Sequence, residues 1–96
     1  MKKEKVKVYR EVKFKSDTPN YYPEESGDKS NTVRIVKPSD ERKSILDDML
    51  RLKKYGKITI IHKQLQTEYF IRDISNITYY NGCYIISWKP KNATNK

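Results

Sequence analysis

"ITYYNGCYIISWKP" (residues 77–90) is the stretch that decides how this chain folds. Asn81-Gly82 separates two runs rich in Ile and Tyr. Asn-Gly between such runs is the strongest short-range hairpin signal, because both central residues of a type I′ turn need positive φ. With Asn81-Gly82 as the loop, Tyr80 pairs with Cys83, Tyr79 with Tyr84, Thr78 with Ile85, Ile77 with Ile86 and Ser75 with Trp88. One face then carries Ile77, Tyr79, Tyr84, Ile86 and Trp88 and is expected to meet the core. The other carries Asn76, Thr78, Tyr80, Cys83, Ile85 and Ser87. A base-stacking platform needs several aromatics on the solvent face beside basic groups. This register sends most of them inward and leaves Tyr80 as the exposed contact candidate.

Upstream, "KITIIHK" and "TEYFIR" read as two strands of an antiparallel hairpin joined through Gln64, Leu65 and Gln66. "DISN" then bends or continues the chain into "ITYY". Before them, "SDERKSILDDMLRLKKYG" carries every local helix signal. Ser39 can cap its start, and Asp40 and Glu41 suit the positive end of the dipole. Ile45, Leu46, Met49, Leu50 and Leu52 form an apolar stripe, Asp47 can pair with Arg51, and Gly56 is placed to be C′.

The first strand is predicted from Val6 to Phe14. Val6, Val8, Val12 and Phe14 alternate with lysines, and Arg10 interrupts the apolar face. Its lysine-rich face suits solvent or a protected sheet edge. Residues 16–31 hold two prolines, a glycine and many small polar side chains, which predicts a long loop. Tyr21 and Tyr22 inside it are candidates for docking on the body or on a partner. "TVRIVKP" reads as a second strand with Val33 and Ile35 on one side, ended by Pro38. The whole gives a single small domain over residues 1–96 with a basic C-terminal tail at 90–96. The expected fold is α+β: one helix on a curved antiparallel sheet of five to six strands, in the order β-β-α-β-β-β-β, with barrel-like closure as an option.

The helix running into Gly56 and the strand meander ending in "IISW" (residues 85–88) are similar in outline to small SH3-like or PH-like barrels. More distantly, residues 44–88 look like small YolD-like bacterial proteins. This resemblance contains no diagnostic motif, so it carries no functional residue over.

The net charge of +9 is unevenly spread. Residues 1–15 hold seven basic and two acidic side chains, and residues 89–96 hold three lysines and no acid. Basic arms of this kind attract polyanions, with an AT-rich coding bias as the competing source of the lysines. Lys2, Lys3, Lys5, Lys7, Arg10, Lys13, Lys15, Lys89 and Lys91 are therefore the candidates for contacting nucleic-acid phosphates without reading bases. Convergence of the two basic segments is expected if the first strand lies near the last.

Enzymatic chemistry has no sequence support. There is no Gly-rich phosphate loop, no H-E-x-x-H and no G-x-S-x-G. His62 has no identifiable partner for base catalysis, and Cys83 reads as a packing residue. One cysteine and one histidine leave no metal-ligand set and no internal disulfide, and fit a cytoplasmic setting with no cofactor. No apolar run is long enough to span a membrane, and the basic N-terminus lacks the apolar block of a secretory signal. The expectation is a small non-enzymatic basic protein that binds DNA or RNA. The alternative is a protein-interaction module, an inhibitor or adaptor of a virus, phage or plasmid, with a host or self protein as partner.

Overall fold

The structure is a computed structural model and describes residues 10–90. The elements run β1 (Glu11–Ser16), α1 (Thr18–Ser26), β2 (Asn31–Ile35), α2 (Glu41–Leu52), β3 (Lys57–His62), β4 (Tyr69–Tyr80) and β5 (Cys83–Trp88). They form an α+β half-barrel: one curled five-stranded sheet in the order β1-β3-β4-β5-β2, with two helices.

The 77–90 hairpin forms as its turn chemistry dictates. Asn81 and Gly82 both take positive φ, and the register holds from Tyr80↔Cys83 to Ile77↔Ile86 and on to Asn76↔Ser87. A bulge then shifts it, so Trp88 faces Ile74 and not Ser75. The extra residue lets β4 run unbroken for 12 residues while twisting sharply, so the two strands expected there are one. Ile77, Tyr84, Ile86 and Trp88 are buried as expected, whereas Tyr79 lies near the turn and stays 51% exposed against Tyr84.

The sheet is mixed, which corrects the antiparallel expectation. β1 pairs in parallel with β3, from Glu11↔Lys57 to Ser16↔His62. Parallel neighbours need a long crossover, and here α1, β2 and α2 supply it. Residues 16–31 are accordingly not a loop. Asp17 precedes α1, Pro19 sits in the first turn where its missing N–H costs no helix bond, and Gly27 closes the helix at φ 98°. Tyr21 and Glu24, three residues apart on one face, are both buried.

α2 matches the expected helix, with different ends. Asp40 caps it, its side chain accepting from Arg42 N, and Lys53 is the left-handed C-cap residue at φ 57°. Arg51 pairs with Asp48 at 2.9 Å, and Asp47 pairs with Lys43 at 2.8 Å. Gly56 is needed for a different reason. A Cβ there would sit 1.8 Å from the Arg10 carbonyl oxygen, where β1 and β3 begin.

Leu46 and Met49 of α2 pack on Val12, Phe14, Ile58, Ile60, Ile74 and Ile86 to form the core. At one end Tyr21, Phe70 and Trp88 extend it as an aromatic row, and His62 lies 4.9 Å from Tyr21. His62 is buried. Its Nδ1 accepts from the N–H groups of Gln64 and Leu65, so the neutral ring carries its proton on Nε2 and donates to Thr18 Oγ1. Both ring nitrogens are spent on structure, in keeping with a satisfied histidine.

Candidate functional site

β1 and β2 are the two edges of the sheet, and side chains bridge the seam between them. In β1 the even residues bond to β3: Arg10 O accepts from Lys57 N, and Ser16 O accepts from Lys63 N. The carbonyls of Lys13 and Lys15 therefore point outward, off the sheet. Arg42 Nη1 donates to Lys13 O and Arg34 Nη1 donates to Lys15 O, both at 2.9 Å. The two guanidiniums lie on the Phe14 ring, with their central carbons 4.5 and 4.9 Å from its centroid.

Arg34 reaches the seam because β2 turns Thr32 and Arg34 inward and Val33 and Ile35 outward. Its Nε donates to Thr32 Oγ1 and its Nη2 to Ser16 Oγ, and Ser16 Oγ donates to the buried carboxylate of Glu24 at 2.8 Å. Lys29 lies 3.5 Å from that carboxylate. Burial lowers the Arg34 pKa from its usual value, and Glu24 offsets part of the effect. Arg42 is neutralised at closer range by Asp40, whose carboxyl its hydrogen bonds hold at about 2.

Along the seam runs a cleft of ≈ 580 Å³ lined by Lys13, Phe14, Lys15, Arg34, Ile35, Arg42, Ile61 and Lys63. Five of these residues are cationic and none is acidic. A second recess of ≈ 290 Å³ shares Lys15, Arg34 and Lys63 with it but also holds Asp17 and Glu24. Lys13, Lys15 and Lys63 make no ion pair with any described residue. Glu11, next on the outward side of β1, accepts from Thr59 Oγ1 and bounds the cationic run.

The expected site residues fall into separate places. Lys13 and Lys15 stand at the cleft. Arg10 and Lys89 lie at the other end of the sheet: Arg10 pairs with the Asp48 carboxylate at 3.4 Å, and the main-chain N–H of Lys89 donates to the main-chain carbonyl of Asp73. Lys57 and then Lys89 hold the Asp73 carboxyl below its usual range. Among the described members of the two basic segments, Lys13 and Lys15 thus stand apart from Arg10 and Lys89. Lys2, Lys3, Lys5, Lys7 and Lys91 lie outside the described residues. Tyr21 is 2% exposed and packs on His62 and Phe70, which removes it as a partner contact. Tyr22 is exposed and donates to Glu68, and Tyr80 is 71% exposed.

Arg34, Arg42 and Lys63 were not among the expected site residues. They sit at the cleft because β1 pairs with β3 and because β2 presents its polar side inward, and neither is a local property of the sequence. Among the described residues no group of three or more His, Cys, Asp or Glu could hold a metal ion. No described helix is long and apolar enough to cross a membrane. The chain matches no known protein family, no curated protein and no solved structure.

Proposed function

We propose that the protein is a non-enzymatic binding module that takes the phosphate backbone of a nucleic acid in the seam cleft. The observation that carries this reading is the lining: five cationic side chains, no carboxylate, and three lysines that make no ion pair with any described residue. Arg34 and Arg42 are tethered to the β1 carbonyls and build the wall, while Lys13, Lys15 and Lys63 are left to meet phosphates. The cleft offers no exposed aromatic for stacking and no Asn or Gln for base edges, so contact is with phosphate and independent of sequence.

The test is fluorescence anisotropy of labelled single- and double-stranded oligonucleotides against salt, with the wild-type chain and a K13E/K15E/K63E variant. Binding that falls with salt, and a variant whose log–log salt slope is shallower by about 2–3, supports the reading. Salt-independent binding, or an unchanged slope in the variant, contradicts it.

A second reading rests on Ile35 and Ile61, which give the cleft an aliphatic floor that nucleic acid does not need. An acidic extended peptide would use both the floor and the lysines. Pull-down with and without nuclease separates the two, since a peptide-bearing partner survives nuclease treatment.

A further inference from the structure

The outer surface of the half-barrel divides into two halves of opposite character. Outward positions 11, 13 and 15 of β1, 57, 59 and 61 of β3 and 69, 71 and 73 of β4 include five charged side chains. Outward positions 31, 33 and 35 of β2, 83, 85 and 87 of β5 and 76, 78 and 80 at the end of β4 include none. In a chain that is 34% charged, nine adjacent outward positions without charge form a distinct surface. Ile35, Cys83 and Tyr80 lie side by side across it, and Val33, Ile85 and Thr78 form the next row. Ile35 is 77% and Val33 55% exposed. Exposed lysines at 37 and 89 flank the face, so an uncharged surface holding the exposed Val33, Ile35 and Tyr80 is bounded by charge.

The two sheet edges differ in the same way. β1 is guarded by Lys13 and Lys15 and by the arginines on its outward carbonyls. On β2, Trp88 N donates to Ser30 O, so the even residues bond to β5 and the backbone groups of Asn31, Val33 and Ile35 point off the sheet. β2 itself holds no lysine, proline or bulge, but its edge faces the seam that Arg34 bridges.

We infer that this uncharged face seats a second copy of the chain across a twofold axis. A twofold interface must be complementary to itself, and in a chain of net charge +9 a cationic face repels its own copy. An uncharged face carries no such penalty. A polyanion or an acidic partner would find no cation on it to pair with.

Sedimentation equilibrium up to about 1 mM chain, at ~0.1 and ~0.5 M salt, tests the inference. A dimer is expected that tightens with salt as the flanking lysines are screened, the opposite of polyanion binding. Tyr80→Lys and Val33→Lys, tested separately, should each weaken it more than ~10-fold. Their unfolding midpoints, measured at concentrations where the chain is monomeric, should stay unchanged, because both side chains are exposed. A monomer under all these conditions, a dimer that loosens with salt, or a dimer indifferent to both substitutions overturns the inference. The K13E/K15E/K63E variant leaves this face intact, so loss of the dimer and loss of nucleic-acid binding are separable results.

Discussion

Arg34 of β2 donates from Nη1 to the carbonyl oxygen of Lys15 in β1 at 2.9 Å, across the seam where strand pairing stops. Arg42 does the same to Lys13 from the start of α2. Two guanidiniums thus satisfy carbonyls that an adjacent strand would otherwise take, and they fix the width of the cationic cleft.

Replacing Arg34 by lysine keeps the charge and removes the planar fork that serves Lys15 O, Ser16 Oγ and Thr32 Oγ1 together. Arg34→Lys is expected to destabilise the fold by about 1–3 kcal/mol, read as a lower urea midpoint. Arg34→Met removes the donor to Ser16 Oγ and Lys15 O altogether, with Lys29 the cation left beside Glu24, and should cost more than the lysine variant.

Gly56→Ala should be among the most damaging single changes. The added Cβ meets backbone at 1.8 Å, and only separation of β1 from β3 relieves it. A loss above ~3 kcal/mol is expected, against about 1–2 kcal/mol for Gly27→Ala or Gly82→Ala, which face open space and pay only for positive φ. Equal losses at the three positions would contradict the close approach.

Acid should weaken the protein through three carboxyls. Lys43 and Tyr84 hold Asp47 below its usual range, Arg42 holds Asp40 at about 2, and Lys57 holds Asp73 low. A carboxyl with a depressed folded pKa stabilises fully above its unfolded value, and the benefit disappears as pH falls through the folded value. Stability should therefore decline from about pH 4 toward pH 2. A D40N/D47N variant is expected to be less stable at pH 7 and flatter across that window, by urea denaturation at each pH.

Tyr84→Phe removes the hydroxyl that donates to Asp47 at 2.5 Å and accepts from Lys43 at 3.1 Å, while the Lys43–Asp47 pair remains at 2.8 Å. The expected cost is about 1 kcal/mol, because the ring stays packed and the partners keep each other. The variant should keep Asp47 below its usual range through Lys43 but by less than in the wild type, visible as a smaller loss of stability across the acid transition.

Local chemistry made the Asn81-Gly82 turn, the α2 stripe and the alternation of Val12 and Phe14 legible in the sequence. The bulge after Ile74 was not, since it relieves sheet curvature that only the assembled barrel imposes. α1 was hidden because Pro19 and Pro23 read as breakers, whereas burial of Tyr21 and Glu24 holds the helix in place. β2 misleads in another way. Val33 and Ile35 are its apolar side, yet Thr32 and Arg34 face inward because the seam needs hydrogen-bond donors there. Two of the five cations of the cleft, Lys13 and Lys15, were legible. Lys63 joins them only through the parallel β1–β3 register, a pairing of residues far apart in the chain.

Amide chemical-shift mapping during titration with a short oligonucleotide at low salt tests the seam cleft most directly. The shifts should concentrate at Lys13, Lys15, Arg34, Ile35 and Lys63, and should collapse in the K13E/K15E/K63E variant. Shifts centred on Tyr69 and Ile71 or on Lys89, or none at all at low salt, would contradict a phosphate-binding seam.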